Sequence, residues 1–252
     1  MNDKKKLKKF FTYGNYDETA LLNWTMNRWD TSENYYKMAV GYQMAAETVA
    51  KDLLRDNTDK QADKEIFPLM FLYEQATELY LKSILLILFR ICSEKSNKDI
   101  RENIGIHNLK ELLDKLFRYA DMYDKNNTCR KDLALLKDYV DERIYMAIHI
   151  PEAQDYKKDP DDIQQERYYE TKLIDGATRD QRKNVFLAMR YPTDLDHNGY
   201  FYAETYDNVP VDIRYLAYGF REILNILYNL QMKYSLIEEN MKNKEETNPC
   251  PN

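Results

Sequence analysis

The fold is decided by residues 79–91, which read LYLKSILLILFRI. On a helix of about 3.6 residues per turn, the apolar side chains of this stretch cover almost the whole circumference. Such a helix must be enclosed, either by neighbouring helices or by a second copy of the chain. The stretch contains Lys82 and Arg90 and is shorter than the roughly 20 apolar residues that cross a bilayer. We therefore expect no contact with a membrane.

Helices are predicted on both sides of this central segment. The second helix, which contains it, is expected from about Pro68 to Cys92. A first helix is expected from Thr31 or Ser32, whose hydroxyl side chains can cap the apolar periodic run that follows. A third helix begins after Asn108, and Glu111 three residues later completes a capping-box pattern.

The C-terminal half contains two further helices and a break between them. The fourth helix is expected from about Lys131 to His149, because the residue before a proline, here Pro151, is disfavoured in helical geometry. Residues 151–210 interrupt the pattern and contain an Asn198-Gly199 turn between two β-prone runs, which predicts a small β-hairpin. A last long helix is expected from about Val211 to Asn240.

Length and composition favour a single, mainly α domain. The chain has 252 residues but only 6 Gly and 7 Pro, which is untypical of a sheet-rich protein with many tight turns. We predict an up-and-down bundle of about five helices over residues 31–240, with the hairpin excursion between the fourth and last helices. An N-terminal arm (1–30) precedes the bundle, and a disordered tail (241–252) follows it.

Charge and cysteine content restrict the functional classes. The formal net charge is −6, so the surface as a whole repels nucleic acid, and contact with RNA would require a local cleft. The 3 cysteines show no metal-ligand spacing, and an odd number suits a reducing compartment. The lysine-rich N-terminus lacks the apolar core of a signal peptide. These features favour a cytoplasmic protein.

An acidic and a basic residue lie one helical turn apart on the second helix. Glu78 and Lys82 have the favourable acid-first order, which stabilises an exposed helix by about 0.2–0.5 kcal/mol. If the two side chains are enclosed, each needs a partner, and the other is the nearest one.

Three stretches together resemble the bacterial HEPN superfamily. They are YEQATELYLKSILL (73–86), GIHNLKELLDKL (105–116) and RYPTD (190–194). Members of this superfamily have a glutamate-containing helix that ends in Leu-Lys-Ala-Leu-Leu, a His-Asp-Leu start to the next helix, and a late Arg-Tyr-Pro. The matching motif residues in this chain are Glu78, Lys82, His107 and Arg190.

The resemblance implies a bundle of four or five helices that usually forms a homodimer and needs no cofactor. Many members are metal-independent ribonucleases of toxin–antitoxin and phage-defence systems, in which an arginine is followed after four to six residues by a histidine. Arg143 and His149, with five residues between them, match this spacing on the expected helix. The resemblance thus implies an RNA substrate and an antitoxin or nucleotidyltransferase partner. It also implies a dimer that forms through the second and fourth helices.

The chemistry of this pair suits RNA cleavage. A histidine with an ordinary pKa of about 6.5 can take a proton from a 2′-hydroxyl or give one to the leaving oxygen. The permanent charge and forked donors of an arginine can hold the scissile phosphate. In this interpretation His149 is the general acid/base, Arg143 binds the phosphate, and Glu142 or Tyr145 tunes the site.

A second interpretation remains open. Catalytic members place a polar residue after the arginine, whereas Ile144 stands here. Residues six apart on an ideal helix also point about 120° away from each other. In this second interpretation, Arg143 pairs with an acid and His149 lies on the surface at a helix end. The protein is then a non-catalytic binding or dimerisation module for a partner protein or nucleotide.

Other polar patterns have simpler explanations. Arg190 and His197 also fit the arginine–histidine spacing, but they flank a proline in the predicted hairpin and are better explained as part of a turn. We interpret His107 as a packing and capping residue at the start of the third helix. The segment DLDHNG (194–199) resembles the start of a calcium loop, but Thr205 stands where the final glutamate should be.

Overall fold

The computed structural model describes residues 15, 17, 19–22, 25–91, 104–123, 129–139 and 211–247. Five α-helices are described in these ranges, and no strand: α1 (Thr31–Arg55), α2 (Ala62–Ile91), α3 (Leu109–Tyr123), α4 (Arg130–Tyr139) and α5 (Ile213–Thr247). The predicted mainly α class is confirmed for this part of the chain. The predicted hairpin, the rest of the excursion and residues 140–149 of the predicted fourth helix lie outside the described residues.

The second helix lies at the centre of the bundle. α1, α3 and α5 pack against α2, and α5 also packs against α1 and α4. Every residue from 76 to 89 is buried. The central apolar segment is therefore enclosed by helices of its own chain, and this part of α2 has no surface left for a second copy. The dimer contact predicted for the second and fourth helices is not tested by this enclosure and stays a prediction.

The first two helices are antiparallel. The Oγ of Ser83, late in α2, lies 2.7 Å from the carbonyl oxygen of Ser32, early in α1. The hydroxyl of Tyr73, earlier in α2, lies 3.4 Å from Oε1 of Glu47, later in α1. The short connection between the helices produces this arrangement, because it leaves room only for a reversal of the chain.

The last helix runs in the same direction as α2. The ring of Phe220 stacks on that of Tyr73 with centroids 4.9 Å apart. Further along both helices, the side-chain amide of Gln231 lies 2.9 Å from the Oγ of Ser83. These contacts bring α5 against the side of α2 that α1 and α3 leave open, and so complete its enclosure.

α3 also runs parallel to α2. His107, just before α3, contacts Glu78, whereas the Tyr119 ring packs edge-on against Phe89 with centroids 4.8 Å apart. The prediction that successive helices alternate in direction is therefore wrong for this pair. In sequence, residues 92–108 separate the two helices, and a chain of this length is long enough to return along the bundle.

The start of α1 is confirmed at Thr31, but a different residue caps it. The carboxylate of Asp30 accepts hydrogen bonds from the backbone N–H of Ser32 at 2.8 Å and of Glu33 at 3.2 Å. Aspartate is among the preferred capping residues, because its oxygen satisfies N–H groups that have no partner within the helix.

α2 begins at Ala62, six residues before the predicted start at Pro68. The side chain of Asn57 accepts a hydrogen bond from the N–H of Ala62 at 2.9 Å, and acidic residues occupy the first turn. Lys60 has a φ of 58°, which turns the chain into the helix. The polar break before Pro68 thus supplies the cap and first turn, and the exposed proline is accommodated inside the helix.

α5 continues to Thr247, beyond the predicted end at Asn240. Lys242 lies 2.8 Å from Glu238, one turn earlier, and no glycine or proline occurs between Asn240 and Pro249. The predicted disordered tail is therefore wrong for residues 241–247. None of the described helices combines the length and apolar character needed to cross a bilayer.

Candidate functional site

The buried pair on α2 forms as its spacing predicts. Nζ of Lys82 lies 2.7 Å from Oε1 of Glu78, and the two side chains are only 5% and 2% exposed. Because both charges are enclosed, each depends on the other for the interaction that water provides at the surface. Since the partners lie on the same helix, their attraction does not tie α2 to any other element.

His107 brings a second chain segment to this carboxylate. Its Nδ1 lies 3.0 Å from Oε1 of Glu78, although the two residues are 29 positions apart. Asn108 fixes the segment, because its side chain accepts a hydrogen bond from the N–H of Glu111 at 3.2 Å and so caps α3. Oε1 of Glu78 thus binds both the buried ammonium and the imidazole.

The contact with Glu78 fixes the orientation of the histidine ring. An ionised carboxylate only accepts hydrogen bonds, so with Glu78 ionised this contact requires the proton on Nδ1 of His107. Of the two ring nitrogens, Nδ1 is the one that contacts the carboxylate, and the His107 side chain is 72% exposed. In the neutral ring, Nε2 then has a lone pair that can take a proton from a bound molecule. The predicted packing role does not fit this exposure, whereas the predicted capping of α3 is provided by Asn108.

A second ion cluster lies at the C-terminal end of α2. Nε and one terminal nitrogen of Arg90 bind the two oxygens of Glu238 at 2.6 and 2.9 Å. The same guanidinium contacts the Oγ of Ser32 at 2.8 Å and Oδ1 of Asp30 at 3.4 Å. This cluster joins α2, α5 and the start of α1.

The surroundings of this second cluster shift the pKa values of its groups. Burial acts to raise the pKa of Asp30, but hydrogen bonds from Ser32 and Glu33 and the charge of Arg90 outweigh it and lower the pKa. Burial likewise acts to raise the pKa of Glu238, whereas the bonds from Arg90 and Lys242 lower it overall. Both carboxyl groups are therefore held in the charged form.

A groove lined by tyrosines lies between α1, α2 and α5. Its volume is about 510 Å³. The ring of Tyr36 lies 5.9 Å from that of Tyr80 and 6.3 Å from that of Tyr228, measured between centroids. The hydroxyl of Tyr80 donates to Oε1 of Gln43 at 3.1 Å, and burial raises the pKa of this tyrosine. The groove therefore offers aromatic faces, neutral hydrogen-bonding groups and the carboxylate of Glu47, which Arg221 pairs.

The structure brings together three of the residues that the sequence singled out: Glu78, Lys82 and His107. The other candidates lie outside the described residues: Arg143, His149, Glu142, Tyr145 and Arg190. Sequence reasoning missed the cluster around Arg90, whose partner Glu238 is 148 positions away. It also missed the contact between His107 and Glu78, for which the shared motif order was the only available signal.

Among the residues that the structure describes, no group of three or more histidine, cysteine, aspartate or glutamate side chains is arranged to hold a metal ion. No protein-family model matches the chain, and neither does any curated protein or any solved structure.

Proposed function

We propose that this protein is a metal-independent endoribonuclease of the HEPN type that acts as a cytoplasmic homodimer in a toxin–antitoxin or phage-defence system. His149 is the proposed general acid/base, and Arg143 binds the scissile phosphate. Glu142 and Tyr145 lie beside them in sequence and tune the site. An antitoxin or a nucleotidyltransferase is the expected protein partner.

The main observation that supports this proposal is the contact between Glu78 and His107. Two of the stretches on which the resemblance rests are separate in sequence, yet their polar residues come within 3.0 Å of each other. A chance likeness of two helical segments would give no reason for this contact. The enclosed α2 and the mainly helical bundle support the same proposal, although fold alone does not determine function.

The proposed reaction uses the 2′-hydroxyl of RNA as the nucleophile. As its proton leaves, O2′ bonds to the phosphorus, and the bond from phosphorus to O5′ breaks when the leaving oxygen receives a proton. The guanidinium of Arg143 stabilises the additional negative charge on the phosphate. A homodimer brings two such pairs into one cleft, which supplies local positive potential on a chain of net charge −6.

The decisive experiment measures cleavage of RNA in the presence of a chelator. Wild-type protein is expected to cleave, and His149→Ala and Arg143→Ala are each expected to lower the rate by about 100-fold or more. Lys137→Ala, a change at an exposed position of α4, provides the control and should cleave normally. The proposal fails if wild-type protein leaves RNA intact or if His149→Ala cleaves like wild type. Sedimentation of the same protein tests the dimer.

The tyrosine groove favours one alternative, a non-catalytic module that binds a nucleotide. Its volume of about 510 Å³ lies within the range of small-molecule sites, and its aromatic rings can stack on a base. In that case ATP or GTP raises the melting temperature without being turned over. Tyr228→Ala should abolish this stabilisation, whereas Tyr215→Ala, at an exposed tyrosine outside the groove, should leave it unchanged.

A further inference from the structure

We infer that two copies of this chain associate through one face of the bundle, which α1 and α5 form around the tyrosine groove. We call it the α1–α5 face. Its aromatic and apolar members are Tyr36 and Met44 on α1 and Tyr218, Tyr228, Met232 and Leu236 on α5. The inference rests on the proposed homodimer, for which it names the contact surface. It is a different surface from the second and fourth helices that the sequence indicated.

The first argument is a continuous row of uncharged side chains along α5. Asn225 and Tyr228 line the groove. Met232 follows them by seven and four residues, and Leu236 follows Met232 by four, so helical spacing places all of them on one face. Tyr218, seven residues before Asn225, extends the row in the other direction. The tyrosine, methionine and leucine side chains of this row are between 42% and 59% exposed. The apolar surface therefore continues well beyond the groove.

The second argument is the charge of the face. The chain has a formal net charge of −6, so two copies repel each other unless their contact avoids charged groups. Of the side chains that line the groove, Glu47 is the charged one, and Arg221 pairs it. The guanidinium of Arg221 also interacts with the charge of Glu222. The α1–α5 face can therefore meet an identical face with little like-charge repulsion.

The third argument is the chemistry of the side chains. Tyrosine and methionine are enriched at the centres of protein interfaces, where charged residues are depleted. The exposed asparagines of α5, Asn225 and Asn229, lie one turn apart. An amide carries both a donor and an acceptor, so it can pair with its own copy across a twofold axis, where a charged group would meet a like charge. These groups favour a second copy as the occupant.

The fourth argument is the size of the face. Tyr218 and Leu236 lie about 27 Å apart along α5 at a rise of about 1.5 Å per residue, and two adjacent helices are about 20 Å wide. Each copy thus contributes about 500 Å², and a pair buries about 1,000 Å², near the lower limit for a specific interface. We therefore expect a reversible dimer whose population depends on the protein concentration.

The first test places a charge on the face. Met44 and Met232 are 66% and 49% exposed, so the folded chain can accept a carboxylate at either position. Met44→Glu and Met232→Glu should each raise the Kd of the dimer by about 100-fold or more, because the new charge is enclosed against apolar groups or its own copy. Sedimentation velocity over a range of protein concentrations measures the Kd, and circular dichroism checks the fold.

Two other methionines provide matched controls. Met38 follows Tyr36 by two residues and Met241 follows Met232 by nine, so helical geometry turns each about half a turn away from the face. Both are exposed, and Met38→Glu and Met241→Glu should dimerise like wild type. A wild-type protein that stays monomeric at every concentration, or four variants that all dimerise alike, would overturn the inference.

The second test locates the contact in wild-type protein. In ¹³C-methyl-methionine-labelled protein, the methyl signals of Met44 and Met232 should shift as the protein concentration rises, whereas those of Met38 and Met241 should stay in place. If the protein dimerises and the signals of Met44 and Met232 do not shift, the contact lies elsewhere and the inference is wrong.

The same signals distinguish a second copy from a nucleotide. If ATP or GTP shifts the signal of Met44 and a higher protein concentration does not, the groove belongs to a nucleotide and the inference is overturned.

The outcomes separate this inference from the proposed ribonuclease. A dimer that is lost in Met44→Glu and Met232→Glu and kept in both controls supports the contact surface whether or not RNA is cleaved. Cleavage by a wild-type dimer that both of these variants retain refutes the contact surface alone. A wild-type protein that is monomeric and leaves RNA intact refutes both proposals.

Discussion

Two ion clusters on α2 differ in what they connect. Glu78 and Lys82 lie one turn apart on the same helix and are almost completely buried. Arg90, at the end of the helix, is 35% exposed and reaches Glu238 on another helix, 148 positions away in sequence. The first pair links no helices by itself, whereas the second cluster joins three parts of the chain.

The two clusters have different roles: one positions a side chain, and the other stabilises the packing of the helices. Enclosing two charges costs several kcal/mol of hydration per ion, which their attraction repays only with good geometry. The cluster around Arg90 is half-buried, so its cost is smaller, and each of its bonds holds α1 and α5 against α2. The buried pair is best explained by the ring of His107 that it orients, and the Arg90 cluster by the closure of the bundle.

The largest change in the free energy of unfolding is expected when one member of the buried pair is removed. Lys82→Met leaves the carboxylate of Glu78 enclosed without its ammonium and should lower the free energy of unfolding by about 3–5 kcal/mol. Adding Glu78→Leu removes the isolated charge and should restore most of the loss. Urea denaturation followed by circular dichroism measures both. If the double variant is less stable than Lys82→Met, the pair itself stabilises the fold and the comparison fails.

A smaller effect is expected at the cluster that closes the bundle. Arg90→Met removes a bidentate pair that is partly solvated, so we expect the free energy of unfolding to fall by about 1–2 kcal/mol. A double-mutant cycle with Glu238→Gln should show a coupling of about 1 kcal/mol. Additive effects of the two changes would mean that the contact does not tie α2 to α5.

The cluster around Arg90 should also make the stability of the protein depend on pH. Asp30 and Glu238 have pKa values below their ordinary 3.8 and 4.5, so the unfolded chain binds protons first as the pH falls. Their contribution is therefore present above the ordinary values and is lost as the pH falls through the lowered ones. The melting temperature of wild type should drop between about pH 5 and pH 3, and that of Arg90→Met should drop less. Parallel curves would contradict the assignment.

The smallest effect is expected for an ion pair that is neither buried nor a link between helices. Lys37 lies 2.7 Å from Glu33 on α1, and both side chains are about one-third exposed. Lys37→Met should change the free energy of unfolding by less than about 0.5 kcal/mol. If Lys37→Met lowers the free energy of unfolding as much as Arg90→Met does, contacts between helices do not explain the larger effect expected for the Arg90 cluster.

Local sequence was informative where a local interaction decides the structure. The start of α3 after Asn108 and that of α1 at Thr31 were predictable, because caps act on N–H groups two or three residues away. Burial of residues 79–91 was predictable because apolar side chains surround the helix. The start of α2 and the end of α5 were misplaced, because a proline and a polar run were taken as helix boundaries although nearby caps and ion pairs support further turns.

The candidate site was predictable only as separate parts. Glu78 and Lys82 were paired correctly because their spacing places them on one helix face. The role of His107 was misjudged because its partner belongs to another helix. Its own neighbours in sequence offered a sufficient local explanation, the capping of α3, which Asn108 in fact provides.

The sequence by itself determined that the chain forms amphipathic helices around one wholly apolar segment, since periodicity and composition act within a few turns of helix. Only the tertiary structure decided that the enclosure is completed within one chain, that α3 runs parallel to α2, and that His107 meets Glu78. The physical reason is that these outcomes depend on the direction in which connections return the chain. Contacts between residues 29 or 148 positions apart leave no periodic trace in the sequence.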